Sequence, residues 1–235
     1  MGDADEPSGD EVSIAQEKGV LETTDVEDVL EQHVPAFTAC YGRAGNAQRY
    51  VEGQVLLRIF VAGDGSVSDV HIVENSLGNY AIESCLADEA RAIAFPAPQG
   101  GKPTDLEYPL QFRSTREIAV TEWPNTSTLP QIADALATLR PCVPLSAAPV
   151  ETVLYIEPSG AVGSAGFVSA KPIEREAATC VTERMRTWRL AGEPGHVLRT
   201  RFDLVVPPKG LATLSAKARA KPRKPLRGRR GSARR

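Results

Sequence analysis

The chain has 235 residues, of which 42% are hydrophobic and 24% charged. That suits a globular protein of one large domain or two domains of roughly 100 residues. No apolar run approaches the roughly 18 residues that a membrane-spanning helix needs, and Met1–Ser13 carries neither the basic nor the apolar region of a signal peptide. The net charge of −3 hides a segregation: residues 1–31 hold 11 acidic residues and one Lys, and residues 211–235 hold 10 Lys or Arg and no acid.

Taken in order, the chain opens on an acidic stretch without aromatic residues. Such a stretch cannot offset its ordering entropy, which predicts a disordered arm over residues 1–19. An amphipathic helix is expected over about Thr24–Tyr41, ending beside Cys40. In VLLRIFVAGDG, residues 55–65, Val55, Leu57, Ile59 and Val61 alternate toward one face, which reads as a half-buried strand closing in a glycine turn. Ser66–Val73 returns as the second strand of a hairpin. A helix follows over about Asn79–Ile93, with Asn79 placed as its N-cap. A strand over Thr104–Arg113 closes this first module, which spans about 20–115.

Residues 116–128 contain Pro and several Thr or Ser and read as a linker. A helix over about Leu129–Leu139 then ends near Cys142. Val150, Thr152, Leu154 and Ile156 repeat the period of two and run into a turn at Gly160. A return strand (Ala161–Val168), a helix (about Ile173–Trp188) and a strand (His196–Val206) complete a second module over 129–207. Residues 208–235 read as a disordered cationic tail. It is either a solvated end or a sequence-independent, salt-sensitive contact for an anionic polymer such as nucleic acid, since it has no aromatic residue to stack on bases.

The two modules share their spacing. Gly65 to Cys85 and Gly160 to Cys180 are both 20 residues, although only 5 of 31 residues agree between 65–95 and 160–190. The fold class that follows is α+β: two tandem α-β-β-α-β modules, each a three-stranded antiparallel sheet with two helices on one face. Each carries two cysteines, one ending its first helix and one inside its second. Two readings stay open: buried free thiols, or one disulfide per module, Cys40–Cys85 and Cys142–Cys180. The pairs recur between otherwise divergent copies, and no C-x-x-C or histidine set accompanies them, which favours the disulfides and with them an oxidising compartment.

Chemistry-bearing motifs are sparse. Gly100-Gly101-Lys102-Pro103-Thr104 lacks the first glycine and the hydroxyl residue of a phosphate loop, Gly63-Asp64-Gly65 is too short for a calcium loop, and His33, His71 and His196 fall in different elements. No catalytic residue, metal ligand, cofactor or small-molecule substrate is expected.

The first module does carry family marks: Cys40-Tyr41, the Gly63-Asp64-Gly65 turn, Ser76-Leu77-Gly78-Asn79, Cys85, Phe95-Pro96, Gly100-Gly101 and Tyr108-Pro109, spread over about residues 27–113. In these it resembles the AgmX/PglI C-terminal domain family, within the wider group of TonB-like C-terminal modules. The second module keeps the cysteines and the turn glycine but lacks the other marks. The resemblance implies a periplasm-facing, non-enzymatic module of the cell envelope, of the kind found in gliding-motility and TonB-like energy-transducer systems. It implies a protein partner taken by strand addition to an exposed sheet edge. The alternative is an intracellular protein that binds an anionic polymer through its tail.

Overall fold

The computed structural model describes residues 18–45, 48–114, 118–142, 146–169, 173–191, 195–206 and 213–214. They form an α+β fold with two separate sheets. The chain divides into two compact units. Residues up to Leu77 with Ala81–Thr115 and Ser169–Pro172 make the first; Gly78–Tyr80, Arg116–Val168 and the chain from Ile173 make the second. Residues 1–17 and most of the basic tail, where disorder is expected, lie outside the described residues.

The first unit runs α1 (Thr23–Gly45), β1 (Gly53–Val61), β2 (Val67–Asn75), α2 (Tyr80–Arg91) and β3 (Thr104–Phe112), with sheet order β2-β1-β3, all antiparallel. The alternation in β1 is realised: Val55, Leu57, Ile59 and Val61 are all buried. On the same face the register pairs them with Leu110, Tyr108, Leu106 and Thr104 of β3. Helix α1 covers this face, with Phe37 against Tyr108 and Tyr41 stacked on Phe112 at 4.9 Å. It outruns its expected end at Tyr41. Gly42 stands on open surface and costs a helix about 1 kcal/mol. Each large apolar side chain buried contributes about 1.5–3 kcal/mol, so packing decides where the helix ends. The loop that follows also enters the core: Tyr50 and Val51 are buried, and the Tyr41 hydroxyl donates to the Val51 carbonyl at 2.7 Å.

The second unit runs β4 (Val120–Glu122), α3 (Asn125–Ala135) continued by a 3₁₀ turn (Leu136–Leu139), β5 (Ser146–Ile156), β6 (Val162–Val168), α4 (Arg175–Met185), β7 (Val197–Val206) and β8 (Thr213–Leu214). Ile132, Leu136 and Leu139 pack with Val150, Leu154 and Ile156, and with Val181, Met185 and Trp188. Polar contacts set the position of α3: Thr128 Oγ1 lies 3.2 Å from Thr200 Oγ1, Gln131 Oε1 accepts from the Ala191 amide at 2.6 Å, and Trp188 Nε1 donates to Thr138 Oγ1 at 2.8 Å.

Four expectations need correction here. The segment expected as a linker, 116–128, holds β4 and the first four residues of α3, because Pro124 rather than Leu129 opens the helix. The tail expected to be disordered from 208 contributes β8, which pairs with β7 at Leu204 and Val205. The sheet is therefore not three-stranded: its order is β6-β5-β7-β4, with β8 also on β7, and β4 runs parallel to β7. At the other end of the chain, Lys18 and Gly19 of the expected arm are tied down, Lys18 to Asp105 and Gly19 to the Pro103 carbonyl, next to Val20, which bridges to Gln99.

The units agree in detail. In β1–β2 the pairs Leu57↔Ile72, Arg58↔His71, Ile59↔Val70 and Phe60↔Asp69 precede a bulge at Phe60/Val61; in β5–β6 the pairs Thr152↔Phe167, Val153↔Gly166, Leu154↔Ala165 and Tyr155↔Ser164 precede one at Tyr155/Ile156. Every partner is displaced by 95 positions. Gly65 has φ +90° and its carbonyl accepts from the Phe95 amide at 2.9 Å; Gly160 has φ +80° and accepts from Leu190 at 2.8 Å. A Cβ at Gly65 would lie 2.0 Å from the Phe95 oxygen and one at Gly160 2.3 Å from the Leu190 oxygen, so both turns admit only glycine.

Candidate functional site

Each unit holds its two helices together through sulfur. Cys40 of α1 is bonded to Cys85 of α2 with Cα atoms 5.7 Å apart, and Cys142, just after the 3₁₀ turn, is bonded to Cys180 of α4 with Cα atoms 5.6 Å apart. Both separations suit the bond. The sequence separations are 45 and 38 residues, and closing loops of that size stabilises by about 4 kcal/mol in the chain-entropy model. The first disulfide has a polar neighbour. Arg43, one turn on from Cys40, donates from Nη2 to Cys85 Sγ at 2.8 Å and to Cys40 Sγ at 3.5 Å, and stands 3.9 Å from Glu89 Oε1. Cys40, Cys85 and Glu89 also place three potential ligand atoms within 4.8 Å of one another, but both sulfurs are engaged with each other.

The second feature is the outer edge of β3. Its inner edge is fully paired to β1, from Thr104↔Val61 to Phe112↔Gly53. No described strand pairs with its outer edge. Pro109 sits in mid-strand opposite Leu56. A proline has no N–H to give, so it fits a paired strand with that nitrogen facing outward. By alternation the backbone groups of Asp105, Glu107 and Gln111 face outward with it, while Leu106, Tyr108 and Leu110 bond inward to β1. The corresponding edge in the second unit is occupied. Strand β4 covers Val197–Arg199 and β8 covers Leu204 and Val205, which match positions 103–105 and 110–111 of the first unit when β7 is aligned on β3 through their partners. Strand β4 is pinned there by Arg199, whose Nε donates to Glu122 Oε1 at 2.6 Å and whose carbonyl accepts from the Trp123 amide at 2.7 Å.

Charged groups line the open edge. Asp105 accepts from Lys18 and from Arg58, whose Nη2 lies 2.6 Å away. The Lys18 hydrogen bond, with help from Arg58 and against the cost of burial, holds the Asp105 carboxyl below its usual range. At the first hairpin turn Asp64 is also lowered, by the Ser66 hydroxyl and amide. On β2, burial pushes Asp69 up, but His71, the Val70 amide and Arg91 outweigh it and hold the carboxyl down.

The remaining sequence candidates do not converge. His33 lies in α1, His71 pairs with Asp69 in β2, and His196 stands exposed before β7. Gly100 and Gly101 take positive φ in a surface loop with open space around both. The edge contrast was not read from the sequence, although Ile118-Ala119-Val120-Thr121 and Leu211–Leu214 carry the β-branched and aliphatic residues that mark β4 and β8. Comparison with protein-family models, curated proteins and solved structures returned no match.

Proposed function

We propose that the two units are copies of one TonB-C-like module. On this reading the chain is a non-enzymatic, periplasm-facing interaction protein of the cell envelope, and its first copy takes an extended segment of a partner protein onto the outer edge of β3. The observation that carries this reading is the contrast between the two edges. Where the second unit covers its edge with two strands of its own chain, no described strand pairs with the matching edge of the first, whose Pro103 carbonyl at the start takes a bond from the Gly19 amide, and an unpaired edge is the physical basis of strand addition. Two disulfides support the compartment, because such bonds persist where thiols are not kept reduced.

The test is site-specific photo-crosslinking in the source cells. A photoreactive residue at Gln111 should yield a discrete adduct with an envelope protein. Glu107→Pro, which removes a second outward N–H while leaving the inward bonds to β1 intact, should abolish that adduct with circular dichroism unchanged. An adduct that persists in a folded Glu107→Pro protein, or no adduct at all, overturns strand addition. Trapping the thiols with an alkylating agent in acid-quenched cells tests the compartment. Four protected cysteines support it. Four free thiols refute it and favour the intracellular reading, in which the basic tail contacts an anionic polymer.

A further inference from the structure

We infer that the Cys40–Cys85 disulfide is a thiol–disulfide exchange site for an external dithiol, with Arg43 as the group that makes it exchange. The inference goes beyond the interaction role and does not depend on it. Three observations carry it. The two sulfurs differ in access, since Cys40 is 1% exposed and Cys85 is half-buried, so an incoming thiolate meets Cys85 first. Arg43 is in contact with both sulfurs, 2.8 Å from Cys85 and 3.5 Å from Cys40, while its side chain remains 66% exposed and open to an approaching anion. The other disulfide serves as a reference within the same molecule: among the described residues no cation contacts the sulfurs of Cys142 and Cys180, and the residue three places after Cys142 is Leu145 where Arg43 follows Cys40.

The chemistry follows from charge placement. A thiolate of the dithiol attacks Cys85 Sγ. A bond forms between the two sulfurs, the Cys40–Cys85 bond breaks, and its electron pair leaves on Cys40 as a thiolate. The dithiol's second thiolate then attacks its own sulfur in the mixed disulfide and expels Cys85 as a thiolate. The dithiol ends oxidised to a cyclic disulfide, and the protein holds two thiols after proton uptake from water. In the first step negative charge builds on the entering and leaving sulfurs. A guanidinium beside them stabilises that charge, and a better-stabilised leaving thiolate departs faster. Glu89, 3.9 Å from Arg43, keeps the cation over the sulfurs. Because Arg43 is exposed, salt should weaken its effect.

The experiment is timed reduction of the folded, full-length protein by dithiothreitol at neutral pH and low salt, with alkylation and mass spectrometry to follow each cysteine. The Cys40–Cys85 bond should open several times faster than Cys142–Cys180. Arg43→Gln should slow it about three- to tenfold without changing Cys142–Cys180, and Arg43→Lys should recover most of the rate. Raising the salt to about 1 M, where the screening length shrinks to about 3 Å, should narrow the gap between wild type and Arg43→Gln. An unchanged or faster rate in Arg43→Gln would mean that Arg43 only shields the bond, and the inference fails. A loss of rate shared equally by both disulfides would mean a general change in opening, and it fails equally.

Discussion

Gly160→Ala offers a measurement in which one close contact can be isolated. At φ +80° an alanine pays a left-handed backbone cost of about 1–2 kcal/mol. Its Cβ would also stand 2.3 Å from the Leu190 carbonyl oxygen, and relieving that overlap sacrifices the Leu190-to-Gly160 hydrogen bond, 2.8 Å long and worth about 1 kcal/mol. Against this, alanine restricts the unfolded chain and returns about 0.4–1 kcal/mol. The net loss comes to about 2 kcal/mol. Gly195 supplies the reference. It lies in the same unit, has φ +96°, and has nothing within 4 Å of its would-be Cβ, so Gly195→Ala carries the backbone cost alone and should lose about 1 kcal/mol or less. Urea unfolding followed by tryptophan fluorescence suits the comparison, because both tryptophans, Trp123 and Trp188, belong to the second unit and Trp188 is buried. Equal losses at the two glycines, or a larger one at Gly195, would show that the approach of the 188–190 segment to the turn does not constrain the hairpin.

Other expectations can be checked in the same way. Replacing Cys142 and Cys180 together by serine should lower stability by about 2–4 kcal/mol, seen as a lower urea midpoint for the tryptophan transition, with no further loss on adding reductant to a protein whose other disulfide is also removed. Asp105 should make the first unit acid-sensitive. Lys18 lowers its folded-state pKa, so the stability it provides is full above the ordinary value of 3.8 and is lost as pH falls below it; Asp105→Asn should flatten that limb in stability against pH followed by tyrosine fluorescence. Glu122→Gln should loosen β4 by less than about 1 kcal/mol, since Glu122 is largely exposed, and hydrogen exchange at Trp123 should rise while the β5–β6 hairpin stays protected.

Much of the first unit was legible because its signals are periodic. The alternation of Val55, Leu57, Ile59 and Val61, the turn at Gly65 and the spacing to Cys85 are local patterns that packing reinforces. The ends of α1 and α3 were not, because each depends on a contact distant in sequence. Tyr41 carries α1 past Gly42 by reaching Phe112 and Val51, and Thr128 and Gln131 set α3 against Thr200 and Ala191. Strands β4 and β8 are too short, at three and two residues, for a period of two to show. They exist only because β7 presents an edge to pair with. The pairing of the cysteines could be posed from the sequence, whereas the guanidinium over one pair depends on a side chain's direction and had no sequence signal.

The two units treat the same liability in opposite ways. A bare strand edge invites unwanted pairing and must be covered or made uncongenial. In the second unit, β4 and β8 take up the outward backbone groups at both ends of β7, which leaves little for another chain to bond. In the first unit, Pro109 breaks the row of donors, and the exposed carboxylate of Glu107 puts charge beside it, while that of Asp105 is paired with Lys18 and Arg58. These features discourage a second copy of the same edge, because like charges would face each other and Pro109 offers no donor. Among the described residues no strand pairs with the outward carbonyls of Asp105, Glu107, Pro109 and Gln111, which is what the proposed strand addition requires. Covering an edge removes it from use, whereas this mode of protection selects among partners. That difference makes β3, rather than β7, the edge at which binding should be sought.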